Sequence, residues 1–395
     1  VVYEGGDGPG KGKHIVLLAG DEEYRSEEAL PQLGKILSVH HGFTCTVLFS
    51  INQDEGTIDP NNSSHLPGLQ ALENADMMII AYRFRAPSDD DMKFIDDFVH
   101  SGKPILGMRT ATHAFSFPDL EQTAYPHYHW RASEWPGGFG QHVLGETWVA
   151  HHGGHKTEAT RGIIDPDDQD HPILRGVEDI FGRTDVYAIK NLTDEANVLV
   201  HGQVLQGMEP DDPPVEGTQN DPMMPLVWTR PFTGDQGITS KIICTTMGSA
   251  DDLLSEGLRR VLINACYWGL NLQDQIPERS NVDIVGVFHP TFYGSNEFVP
   301  GIKPADLALE HAGITCNKNT VPDDPEGPFT TSGIRLGTPA GTTRGFMEAE
   351  WKQIGRLILR VLDGLVENGP DRNSDIEAQV RAEVKELCAK FPIYQ

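Results

Sequence analysis

Between His14 and Met108 the chain alternates short, unbroken apolar runs with segments of helical periodicity. The runs are His14-Ile15-Val16-Leu17-Leu18-Ala19, Thr44 to Phe49, Met77 to Ala81 and Pro104 to Met108. Runs of this length without polar alternation are the mark of strands buried on both faces, as in a parallel sheet. Between them, Ser26 reads as an N-cap with Glu27 and Glu28 in the first turn, and Gly42 closes that helix. Ser88 caps a second helix with Met92, Ile95, Phe98 and Val99 on one stripe, ended by Gly102. The repeat predicts an α/β fold with a parallel sheet and helices on both faces. The rhythm lapses over 113–196 and returns with strands at 196–205, 225–230 and 241–246, a helix at 255–270 and a strand at 283–288. Residues 299–304 read as a linker. We therefore divide the chain into an α/β domain, 1–305, and a small α+β domain, 306–395. In the latter, 348–365 carries Ile354, Leu357, Ile358 and Val361 on one stripe, and 376–387 is a second helix.

The formal net charge of -27 argues against a nucleic-acid or anionic-membrane partner, because phosphate recognition needs a basic face. No apolar run approaches the roughly 20 residues that span a bilayer. The first residues are Val1-Val2-Tyr3, as in a processed or partial chain. A removed signal peptide would make it secreted or periplasmic; otherwise it is cytoplasmic. The five cysteines are scattered and form no CxxC pair, so buried thiols are expected rather than disulfides.

In open α/β sheets ligands bind beyond the carboxyl ends of the strands. Those positions hold Asp21, Glu23, Tyr24 and Arg25 after the first strand and Arg83 and Arg85 after the third. After the fourth come Arg109, Thr110 and His113. Arginines grouped in an acidic chain suit forked recognition of an anion or polyol. We take Tyr24, Arg25, Arg83, Arg85, Arg109 and Thr110 as substrate-binding candidates. Asp21, Glu23 and His113 are the acid/base candidates. Structural ion pairing between loops is the competing reading.

Histidines recur at His127, His129, His142, His151, His152 and His155. Imidazoles at short spacing with a carboxylate such as Glu146 suit a divalent metal, zinc first, and His151, His152 and His155 are the candidate ligands. A polar loop merely rich in histidine is the alternative.

Several of these segments together resemble the ThuA-like (trehalose utilisation) family. They include Gly20-Asp21-Glu22-Glu23-Tyr24-Arg25, Gly107-Met108-Arg109-Thr110-Ala111-Thr112-His113, His171-Pro172-Ile173-Leu174-Arg175-Gly176 and Asp221-Pro222-Met223-Met224-Pro225. The resemblance runs over roughly 13–305. It implies a flavodoxin-like sheet similar to class I glutamine amidotransferases, a link to carbohydrate metabolism and a bound metal. The turn at Met108-Arg109-Thr110 lacks the amidotransferase cysteine, so thiolate glutamine hydrolysis is not expected.

From about Leu307 the pattern changes. Gly313-Ile314-Thr315-Cys316-Asn317-Lys318-Asn319-Thr320, Thr331-Ser332-Gly333-Ile334-Arg335-Leu336-Gly337 and Cys388-Ala389-Lys390-Phe391-Pro392 resemble the C-terminal domain of serine hydroxymethyltransferase. That resemblance implies a carboxylate-binding role for Arg335 and a folate-side position for Asn319. It also implies a large domain carrying pyridoxal phosphate on a lysine, and no such domain precedes the tail in this sequence. His155-Lys156-Thr157 is similar to the cofactor-lysine motif, but its neighbours follow the ThuA-like pattern. Pyridoxal phosphate is therefore not expected. Three readings follow: a sugar-processing enzyme, a non-catalytic sugar-binding module, and a protein of one-carbon metabolism. A small sugar derivative is the expected partner, with a homo-oligomer allowed.

Overall fold

The unbroken apolar runs are central strands. In chain order the strands are β1 (Val2–Tyr3), β2 (His14–Gly20), β3 (Thr44–Phe49), β4 (Met77–Tyr82) and β5 (Ile105–Met108). They continue with β6 (Thr160–Ile164), β7 (Phe181–Gly182), β8 (Asn197–Val204), β9 (Met224–Thr233) and β10 (Thr239–Thr245). The long helices of this part are α1 (Ser26–His41), α2 (Asp89–Val99) and α3 (Glu256–Gly269). The computed structural model describes residues 1–307, 313–314, 317–319, 333–369 and 373–391, the side chains of 317–319, 333–335 and 340 excepted.

The ten strands form one sheet ordered β1-β3-β2-β4-β5-β10-β9-β8-β6-β7. Strands β3, β2, β4, β5 and β10 run parallel. Side chains alternate across the sheet as the pleat requires. Ile15, Leu17 and Ala19 join the core under α1 and α3, while Val16 and Leu18 join the core under α2. The expectation of a parallel sheet fails beyond β10. Strands β9, β8, β6 and β7 add on antiparallel. Gly234 to Ile238 is too short for the crossover a parallel pair demands, so β9 and β10 close as a hairpin.

Two local expectations also need correction. Arg25, not Ser26, is the N-cap of α1, in a left-handed conformation (φ 60°) that turns its guanidinium inward. The stretch 283–288 forms no strand. It belongs to an extended strap laid over α1, where the Gln32 amide, suitably oriented, accepts from Val285 N at 2.9 Å and donates to its carbonyl at 3.2 Å. The strap explains why α1 is buried over most of its circumference.

His41, 3% exposed, ties α1 to the strap. Its Nε2–H donates to the Asn281 carbonyl (2.7 Å), which leaves Nδ1 to accept from the Tyr267 hydroxyl (2.8 Å). Burial pushes this imidazole down to about 4. The unfolded chain takes up the proton from about pH 6.5 and the folded chain only near 4, so His41 confers stability that is complete above 6.5 and drains as pH falls between the two. Urea unfolding at pH 7.5 and 4.5 is expected to show about 2–3 kcal/mol more loss in the wild type than in His41→Gln.

In the tail, β11 (Asn317–Asn319) pairs antiparallel with β12 (Gly333–Arg335). Helices α4 (Pro339–Thr343), α5 (Glu348–Asn368) and α6 (Ser374–Lys390) follow. A small core of Ile314, Leu357, Ile358, Val361 and Val380 holds this part together, in keeping with the stripe read from sequence.

Candidate functional site

The loops after β2, β4 and β5 meet at the carboxyl edge of the parallel strands, and with them the segments 146–155 and 183–187 and the strap. Among the described residues seven non-glycine residues have positive φ; Arg25, Phe84 and Arg109 lie in these loops, and Lys156 directly follows the 146–155 segment. A left-handed backbone costs a side-chain-bearing residue roughly 1–2 kcal/mol, and such strain gathers where geometry must be imposed.

Arg109 is the buried foundation. It is 1% exposed and donates from Nη1 to the carbonyls of Asp185 and Thr246, each at 2.6 Å. Nη2 reaches the Tyr24 hydroxyl at 3.1 Å and Asp185 Oδ1 at 3.4 Å. The guanidinium lies 3.9 Å from the Tyr187 ring centre and 4.4 Å from that of Tyr24. Asp185, wholly buried as a side chain, then carries two histidines: His151 Nδ1 at 2.6 Å from Oδ2 and His155 Nδ1 at 3.0 Å from Oδ1. His155 Nε2 is 3.2 Å from Glu23 Oε1. Burial would push the Asp185 carboxyl up. Arg109 and the two imidazoles outweigh it and hold the group well below the usual carboxylate range.

Above this cluster is a cleft of about 30 Å³, lined by Glu23, Tyr24, Arg83, His113, Trp148 and His151 among others. That is room for a water, an ion or one oxygen function, not a sugar ring. His113, 3% exposed, packs against Phe84 (4.9 Å between ring centres) and Trp148 (5.5 Å). Burial, with Arg83 and Arg109 nearby, drives its pKa well below the ordinary histidine value, so the ring is neutral. The strap contributes Tyr293, stacked on Tyr24 at 5.2 Å.

The sequence candidates thus separate. Glu23, Tyr24, Arg83, His113, His151 and His155 come together. Arg25, Arg85 and Arg109 do not face the cleft: each is at most 2% exposed and spent on backbone carbonyls. Donors not used in this way remain at Arg25 Nε and Nη1 and at Arg109 Nε, which are buried without a hydrogen-bond partner. Asp21 and Thr110 are also turned to scaffolding. Asp21 Oδ1 accepts from Glu23 N (2.7 Å) and Tyr24 N (3.0 Å), while Oδ2 accepts from Thr110 (2.7 Å). His152 points away, to the Gln219 carbonyl (2.7 Å). His127 and His142 pack on Trp135, at 4.5 and 4.0 Å. Glu146 is not the carboxylate that completes the histidine group; it is fully buried and accepts from three backbone N–H groups. The side chains of Asn319 and Arg335 lie outside the described residues.

Sequence reasoning missed Asp185, Tyr187, Trp148 and Tyr293. Asp185 sits in an aperiodic segment with no motif around it, and only its burial marks it out. Among the described residues, His151, His155 and Asp185 are the group whose ligand atoms, all within 4.8 Å of one another, could hold a metal ion. The 2.6 and 3.0 Å contacts run to different oxygens of Asp185 and are hydrogen-bond lengths; ligands on a common ion at about 2.0–2.2 Å stand roughly 3 Å apart, so the group would rearrange slightly to take one.

Comparison with known proteins gives two separate sets of matches. The serine hydroxymethyltransferase family model matches residues 296–358. The serine hydroxymethyltransferase of Paracoccus denitrificans is 62% identical over 92 residues, 23% of this chain and 22% of that protein. That of Paramagnetospirillum magneticum is 63% identical over 93 residues, 24% and 22% respectively. The chain therefore spans about a fifth of the length of these curated relatives. Among solved structures, a ThuA-like protein from Parabacteroides merdae is similar with a TM-score of 0.44 and 14% identity, covering 72% of this chain and 98% of that one. A second, from Bacteroides uniformis, has a TM-score of 0.39 and 12% identity, covering 67% and 94%.

Proposed function

We propose that the α/β part of the chain is an enzyme that holds a divalent cation on His151, His155 and Asp185 and acts on one oxygen function of a small hydroxylated substrate, a sugar derivative in the first instance. The observation that carries this reading is the convergence of two imidazoles and one carboxylate above a buried arginine, at the carboxyl edge of parallel strands. Two histidines and a carboxylate suit zinc, iron or manganese equally as a donor set. A cation there would polarise a substrate oxygen. Arg109 fixes Asp185 from below, and Glu23 fixes the second nitrogen of His155. Arg83, on the wall, orients Glu23 by an ion pair at 3.1 Å. Neutral His113 lines the cleft, where its low pKa suits it to accept a hydrogen bond rather than to act as a strong base. With room for little more than one oxygen, the body of the substrate stays outside, over the more exposed His151. The sheet is read as flavodoxin-like with an antiparallel extension.

Elemental analysis and calorimetry with manganese, zinc and ferrous ions should give one ion per chain, and Asp185→Asn should reduce the stoichiometry to near zero. If no metal binds the wild type but His151→Gln abolishes turnover on a sugar panel, the site is instead an Asp185-oriented general base. Ligand binding without turnover would favour the non-catalytic module.

We infer also that the tail contributes no one-carbon chemistry by itself. A carboxylate clamp at Arg335 supplies positioning, which cannot replace a cofactor's stabilisation of a carbanion. Glycine formed from serine with tetrahydrofolate and pyridoxal phosphate, and lost in Lys156→Ala, would overturn this.

A further inference from the structure

Helix α5 buries one side in the small core of the tail, through Leu357, Ile358, Val361 and Gly364, with Leu365 packed beside them. The other side of such a helix is ordinarily polar. Here it carries a second apolar row. Leu359 is 58% exposed, Leu362 36% and Val366 87%. Gly355, one turn before Leu359, has open space where a Cβ would stand. Among the described residues no other helix shows more than one exposed large apolar side chain. A lone exposed leucine needs no explanation, but a row on one face does.

The spacing of the row points to another helix. Gly355, Leu359, Leu362 and Val366 follow one another at four, three and four residues. That is the 3.5-residue repeat by which one helix keeps a seam against a second. The charges beside the seam say which helix. Arg356 and Asp363 flank it on the same side, exposed, one heptad apart and of opposite sign. Neither side chain is in an ion pair among the described residues. Lys352 and Glu367 stand exposed toward the two ends of the helix.

An antiparallel copy of α5 satisfies all of these at once. With Leu359 of each helix opposite Leu362 of the other, Gly355 faces Val366, small against large. The same register brings Arg356 beside Asp363 of the second copy and Lys352 beside Glu367. A two-fold axis makes each of these contacts twice. A parallel pair would align each residue with itself and make neither ion pair. We propose that the tail forms a two-fold, antiparallel helix pair with a second copy of this chain, through Gly355, Leu359, Leu362 and Val366. The row covers roughly 17 Å of helix, so the interface is a small one and reversible association on the order of micromolar is expected. The pairing is independent of the proposed metal centre.

Sedimentation equilibrium on the full chain, across the micromolar range, tests this. The wild type should pass reversibly from monomer to dimer. Leu359→Glu with Leu362→Glu should stay monomeric throughout. Arg356→Asp sets aspartate against aspartate at both ends of the seam and should weaken the dimer about tenfold. Arg356→Asp with Asp363→Arg restores opposite charges in the antiparallel register alone, and should recover the wild-type affinity. All four positions are exposed, and circular dichroism checks that the helices persist. Where the leucine variant loses helix, the charge exchange decides. A wild type that is monomeric throughout, a dimer unchanged by the two leucine substitutions, or a charge exchange that recovers nothing overturns the proposal.

Discussion

Arg109→Met is expected to destabilise the fold by about 3–5 kcal/mol, the cost of stranding the partner of a buried ion pair. The substitution keeps apolar volume but removes the guanidinium that serves Asp185, whose side chain is wholly buried, and leaves that carboxylate to His151 and His155. Two carbonyls, Asp185 O and Thr246 O, lose their donor as well, and the rings of Tyr24 and Tyr187 lose the cation between them. Urea unfolding checks the magnitude. Arg109→Lys should recover only part of the loss, since an ammonium cannot span both carbonyls and the tyrosine in one plane. Full recovery by lysine would mean that charge alone matters there, and that the forked geometry does not.

The second large effect is expected at Glu146. Its Oε1 accepts from Thr147 N at 2.9 Å, and its Oε2 accepts from Lys190 N at 2.7 Å and Asn191 N at 2.6 Å. The carboxylate thus staples the loop bearing Trp148 and His151 to the segment bearing Asp185 and Tyr187. Glu146→Ala leaves three N–H groups without an acceptor and should cost about 3 kcal/mol in thermal or urea unfolding. Glu146→Gln keeps one carbonyl oxygen, which can serve Lys190 and Asn191, and should cost about half as much. The proposed metal site should loosen in parallel, with weaker ion binding in Glu146→Ala than in Glu146→Gln. Equal stability of all three proteins would remove Glu146 from the scaffold.

Much of the sheet was legible because apolar run length reports burial on both faces. The runs at His14, Thr44, Met77 and Pro104 start or end within a residue or so of the observed strands. Their parallel order then put Arg83 and Arg109 on one edge without further information. Strand direction beyond β10 was legible in principle, from the short Gly-rich link at Gly234 to Ile238. Side-chain role was not. Arg25, Arg85 and Arg109 look on paper like substrate clamps, since sequence shows that a guanidinium is near a site but not which way it faces. The histidines were read as one group because they are close in sequence. Folding sends His127 and His142 to Trp135 and His152 to Gln219, and keeps His151 and His155 for Asp185. Asp185 itself comes some 30 residues later, a separation across which composition carries no signal.

Both outer strands of the ten-stranded sheet, β1 and β7, are only two residues long. A strand that short offers a neighbouring chain almost no ladder to continue, whereas a long bare edge templates fibrous aggregation. Among the described residues, these two strands give a neighbouring copy little backbone to pair with.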